Sequence, residues 1–71
     1  MYLVETYDKA QMAGTMFALS RTMYNLPDEV VEQADECEVW GTSFNEGSSD
    51  YCEFRFKKDG TVFRTIRVEG Y

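Results

Sequence analysis

Two periodicities divide this chain. Between Lys9 and Tyr24, apolar residues recur every three or four positions, at Met12, Ala13, Met16, Phe17, Leu19, Met23 and Tyr24, while Lys9, Gln11, Thr15 and Arg21 fall outside the stripe. That spacing predicts an amphipathic helix with a wide buried face. It puts Met12, Met16 and Met23 in the core. Asp8 followed by Gln11 has the form of a capping box at the start of this helix. Asn25-Leu26-Pro27 has the form of its end: a left-handed cap, a hydrophobic contact and a residue that forbids continuation. Gly14 weakens such a helix by up to about 1 kcal/mol relative to Ala, a cost that a close approach by another backbone would explain.

A second, shorter helix is predicted from Pro27 to about Asp35. Pro27 suits its first turn, Asp28 and Glu29 complement its positive N-terminus, and Val30, Val31 and Ala34 form a narrow apolar edge. Tyr2–Tyr7 favours a strand by composition, although the same residues can also lead straight into the helix.

From Cys37 to Phe44 the period becomes that of a strand. Trp40, Thr42 and Phe44 share one face, and Val39, Gly41 and Ser43 the other. The first set buries far more apolar area, so Trp40 and Phe44 are expected in the core. Asn45–Asp50 is a polar connecting loop, and Tyr51–Val68 reads as a β-hairpin, two runs rich in aromatic and β-branched residues around Lys58-Asp59-Gly60. A two-residue turn at Asp59-Gly60 would set Arg55 against Arg64 and Glu53 against Ile66. A three-residue loop ending in left-handed Gly60 sets Phe56 against Val62 and Cys52 against Ile66, and is preferred on that ground. The core face is then Cys52, Phe54, Phe56, Val62, Ile66 and Val68, interrupted by Arg64. Tyr51, Glu53, Arg55, Phe63, Thr65 and Arg67 form the other face.

The elements add up to an α+β domain over residues 1–71. One main helix and a short second helix pack on one face of a three-stranded antiparallel meander, to which an N-terminal strand is added. Seventy-one residues leave room for one thin core layer and no deep catalytic cavity. No basic segment followed by an apolar run opens the chain, and no stretch has the length of a membrane span, so the expectation is a soluble, unprocessed cytoplasmic protein.

Composition narrows the chemistry. The chain has no histidine, which removes the commonest general base, the commonest zinc ligand and every Ser-His or Cys-His dyad. Cys37 and Cys52 fit no metal spacing and read as small buried hydrophobes. Asp28–Glu38 lacks the alternating ligands and central Gly of a calcium loop, and the 45–50 loop lacks the Lys of a phosphate-binding one. No enzyme activity, no catalytic residue, no metal and no cofactor is expected.

The net charge of −6 is unevenly spread: nine acidic residues and no Lys or Arg between Thr22 and Phe54, then five basic residues against Asp59 and Glu69 from Arg55 to Tyr71. An ordinary exposed helix mixes both signs. Asp28, Glu29, Glu32, Asp35, Glu36 and Glu38, extended by Glu46 and Asp50, therefore suggest a partner-binding surface as well as a merely solvated face. Gathered on one patch, such carboxylates imitate nucleic-acid phosphates and block or regulate a basic, nucleic-acid-handling protein, as small inhibitors from phages and mobile elements do. Two other readings stand beside this one. Tyr51, Arg55, Phe63 and Arg67 interleave aromatic and guanidinium groups suited to single-stranded nucleic acid. The methionines of the helix and the same aromatics would also suit a homodimer or assembly interface.

Overall fold

A computed structural model describes residues 1–42 and 51–69. The order of elements is β1 (Tyr2–Asp8), α1 (Lys9–Met12), α2 (Thr15–Met23), α3 (Asp28–Gln33), β2 (Glu36–Gly41), β3 (Tyr51–Lys58) and β4 (Thr61–Glu69). The strands form one antiparallel sheet in the order β1-β2-β3-β4, so the N-terminal strand does join the meander, at the β2 edge. The helices pack on one face of that sheet. Met12, Phe17, Leu26, Val30, Val31 and Ala34 meet Cys37, Cys52, Phe54 and Phe56 in a single core. The expected strand end at Phe44 and the 45–50 loop lie outside the described residues.

The predicted long helix is two helices. The capping box is present, with the Gln11 amide donating to Asp8 Oδ1 at 2.8 Å and the Asp8 amide to Gln11 Oε1 at 2.8 Å. One turn later the chain leaves the helix at Ala13 and Gly14, whose backbone is extended (φ −86°, ψ 172°) as it starts α2. The backbone close to Gly14 is that of the preceding turn: a Cβ there would meet the Gln11 carbonyl oxygen at 3.2 Å. The break resets the helical phase. In an unbroken helix, Met12 and Phe17 would point roughly 140° apart, at about 100° per residue. After the break both are buried, at 3 % and 0 % exposure.

The same change of phase overturns the expectation for the other methionines. Met16, Leu19 and Met23 face solvent, 72 %, 61 % and 71 % exposed, because Phe17 and Tyr24 set the inward stripe of α2. The end of α2 follows the sequence. Asn25 is left-handed (φ 53°) and the Leu26 amide donates to the Arg21 carbonyl at 3.0 Å, the long bond of a Schellman cap. Pro27 sits one position earlier than predicted, as the N-cap of α3. At the other end of α3, Lys9 Nζ donates to the carbonyls of Glu32 (2.9 Å) and Ala34 (3.1 Å), placing a cation where the helix dipole is negative.

Trp40 lies on the sheet face opposite the helices, contrary to the expectation that it enters the core. Cys37 and Val39 pair with Phe56 and Phe54 and take the inward positions, which leaves Glu36, Glu38 and Trp40 outward. The outward position satisfies the indole. Its Nε1–H donates to Glu38 Oε1 at 3.1 Å and the Arg55 guanidinium sits 4.5 Å from the ring centroid.

The hairpin also departs from the three-residue loop. Asp59 (φ 52°) and Gly60 (φ 82°) form a two-residue turn between Lys58 and Thr61, both residues left-handed as a type I′ turn requires. A bulge then shifts the register between Phe56 and Lys57, leaving Phe63 as the extra residue. The shift removes the like-charge clash expected of this turn: Arg55 faces Thr65, Glu53 faces Arg67 and Cys52 faces Val68. Val62 consequently pairs with Lys57 and is exposed, whereas Ile66 and Val68 pack against the core.

Candidate interaction surfaces

The carboxylates singled out in the sequence separate into three places. Asp28, Glu29 and Glu32 lie on α3, on the helix side of the sheet. Glu36 and Glu38 lie on the opposite face, and Asp35 lies at the junction between the two. Glu46 and Asp50 are outside the described residues. Several of these acids already have partners. Arg21 Nη2 bonds Asp28 Oδ1 at 2.5 Å, and Lys57 Nζ lies 3.5 Å from Glu36 and 3.6 Å from Glu38. Asp35 Oδ2 accepts the Asp59 amide at 3.0 Å. Among the described residues, no cation pairs with the side chains of Glu29 and Glu32.

The outward face of the sheet is a mixed-charge lattice. Arg55 Nε bonds Glu53 Oε2 at 3.1 Å while lying over Trp40, and Arg67 lies 3.6 Å from the Tyr51 ring centroid while bonding Glu69 at 3.2 Å. Within the set Tyr51, Arg55, Phe63 and Arg67, Arg67 stacks on Tyr51, whereas Arg55 lies on Trp40 and bonds Glu53. Phe63, displaced by the bulge, does not pair within that set. A stacking base would have to displace guanidinium groups already lying on both rings, and the adjacent glutamates repel phosphate.

Sequence reasoning missed a third surface. Among the described residues eight large hydrophobics are exposed, and six of them lie on β1 and α2; Tyr2, Val4, Met16, Leu19 and Met23 belong to this surface, whereas Leu3 pairs with Trp40 and faces the other side of the sheet. Two adjoining clefts run between these elements. One, of about 360 Å³, is lined by Glu5, Tyr7, Gln11, Gly14, Thr15 and Met16. The other, of about 320 Å³, has Tyr2, Val4, Tyr24, Val39 and Phe54 among its walls and shares Glu5 and Tyr7 with the first. The signal for this surface was present in the helix pattern. Seven apolar positions between Met12 and Tyr24 are more than one core stripe accommodates, and Met16, Leu19 and Met23 cluster to one side of the Phe17–Tyr24 line.

The thiols are enclosed in the core. Both cysteines are free and buried. Burial pushes the Cys37 thiol up to about 12, with Glu38 and Glu36 adding to the effect, and burial also raises Cys52. The Tyr7 hydroxyl is raised by burial first, then by Glu5 and Cys37. Among the described residues no cluster of three metal-ligating side chains occurs, and no helix is long and apolar enough to cross a membrane. Compared with protein-family models, with curated proteins and with solved structures, the chain matches none of them.

Proposed function

We propose that this chain is a small, acidic, non-enzymatic interaction protein that captures a basic protein partner, one whose cationic surface handles nucleic acid, and thereby blocks or regulates it. The observation that carries this reading is the helix side of the molecule. Glu5, Glu29 and Glu32 carry no cation partner among the described residues, and they share that side with the exposed side chains of Met16, Leu19 and Met23. Apolar surface supplies affinity in proportion to the area it buries, and net negative charge steers a basic partner and raises its rate of encounter.

The division of the carboxylates shapes the reading. With Glu36 and Glu38 held by Lys57 on the far face, the acids do not form one continuous array. Capture through an apolar surface flanked by charge is therefore better supported than imitation of a phosphate backbone. Co-purification from the host followed by mass spectrometry, repeated across a salt series, tests the proposal. The expected result is a basic partner released as salt rises; an acidic partner, or capture indifferent to both salt and the Glu29→Lys/Glu32→Lys change, would refute it.

A further inference from the structure

β1 is an edge strand, and its rim away from β2 carries the Thr6 amide, which donates to Glu5 Oε1 at 3.2 Å, and the Asp8 amide, which the capping box holds on Gln11 Oε1 at 2.8 Å; a further strand takes over the Thr6 amide once a cation draws Glu5 away. Natural sheets blunt such edges with charge. The far edge, β4, carries Arg64, Arg67 and Glu69 beside exposed Val62 and Phe63, and β1 presents Tyr2, Leu3 and Val4, each about half exposed, followed by Glu5 and Asp8. The bulge between Leu3 and Glu5 leaves Glu5–Asp8 as the regular pairing segment. Beside that segment lie the two clefts, and Glu5 is exposed where they join. Its carboxylate accepts a local bond from the Thr6 amide at 3.2 Å, and no cation among the described residues reaches it.

These features select an occupant. A second copy of the chain is disfavoured, because two molecules of charge −6 repel and a two-fold pairing of β1 with β1 brings acidic Glu5 and Asp8 of each copy toward one another. A segment carrying cations is favoured by the same charges. We infer that β1 accepts, as a fifth strand, an extended cationic and apolar segment of the partner, whose apolar side chains enter the clefts between β1 and α2 and whose Lys or Arg meets Glu5. This rests on the basic-partner reading and names its docking edge. Main-chain pairing supplies affinity, and alternate side chains reaching the clefts and Glu5 supply selectivity.

The probe is a synthetic octapeptide alternating valine and lysine, added to the isotope-labelled full chain, with a valine–glutamate octapeptide as control. The expected result is amide shifts concentrated in Tyr2–Asp8 and Thr15–Met23, with β1 amide exchange slowed about tenfold or more at saturation. Glu5→Lys should weaken binding by about tenfold or more and Glu5→Gln by less, the loss of an attractive charge pair and its reversal differing in that order. Glu69→Lys, on β4 at the far edge of the sheet, should change it by under about twofold, since surface charges away from the site contribute little. The glutamine variant keeps the test valid if the lysine variant fails to fold, as judged by circular dichroism. Shifts confined to α3 or to the Glu36–Glu38 face would overturn the β1 site while leaving capture of a basic partner standing. Absence of binding by the valine–lysine peptide would likewise overturn the site, and co-purification decides the broader reading separately. Protection of β1 that grows with chain concentration in the absence of peptide would assign the edge to self-association and also overturn the inference.

Discussion

Asp35 and Asp59, twenty-four residues apart, are joined by a hydrogen bond of 3.0 Å from the Asp59 backbone amide to Asp35 Oδ2. The neighbouring Asp35 amide donates to the Lys57 carbonyl at 2.8 Å, so the exit of α3 is tied to the tip of the β3–β4 hairpin at two points. Asp35 thus has structural work, and its carboxylate is engaged before any partner arrives. Asp35→Ala is expected to cost about 1 kcal/mol of stability in urea unfolding, the usual size of one such bond in a solvated setting. Asp59→Val, at a left-handed position, is expected to cost about 1–2 kcal/mol, and Asp59→Gly to be nearly neutral. Equal stability of all three variants would refute this role for the turn.

Core and surface methionines should separate cleanly on mutation. Met12→Ala removes a side chain that is 3 % exposed and is expected to cost about 2–4 kcal/mol. Met16→Gln and Met23→Gln replace side chains that are more than two-thirds exposed and should stay within about 0.5 kcal/mol of the parent. Thermal melts of the three variants decide the matter, and a large loss at Met16 or Met23 would place the α2 stripe in the core after all.

Lys9 closes the C-terminal end of α3 from a distance of twenty-three to twenty-five residues. Lys9→Met keeps most of the side chain's apolar stem and removes the donor, so it isolates the cap. The expected loss is about 1 kcal/mol and shrinks as salt is raised, because screening weakens the ammonium's interaction in the parent alone. A variant as stable as the parent at low salt would show that the two carbonyls gain nothing from the ammonium.

The Cys37 thiol supplies a pH test. Its value in the fold, about 12 against an ordinary 9.0, means that the fold holds the neutral thiol. The contribution is fully present below pH 9 and is lost as pH rises from 9 toward 12. Native protein at pH 8 should therefore resist thiol reagents until denaturant is added, and Cys37→Ala should lose stability less steeply over that alkaline range. Rapid labelling of Cys37 in the folded state would contradict this.

The sequence disclosed what local chemistry controls. The capping box at Asp8 and Gln11, the left-handed Asn25, the buried Leu26 and the hairpin alternation from Cys52 to Phe56 all rest on interactions a few residues apart. It concealed what tertiary phase controls. Gly14 signalled weakness in the helix, but the reset that turns Met16 outward depends on Phe17 meeting Tyr7 across the core, at 5.1 Å between ring centroids. Trp40 went outward because Cys37 and Val39 fit the thin core and because a carboxylate and a guanidinium awaited the indole on the other face. The acidic stretch was legible as charge and illegible as a surface, since a strand following a helix sends alternate carboxylates to different sides.

We propose that capture occurs on the face formed by β1 and α2 and not on the outward face of the sheet. The most direct test compares the affinity of the host partner for Met16→Glu/Met23→Glu and for Glu36→Lys/Glu38→Lys, each checked for an unchanged melt. The first should bind at least about tenfold more weakly, since charge is introduced into buried apolar contact, and the second within about twofold of the parent. Full affinity in the first variant, with loss in the second, would contradict it.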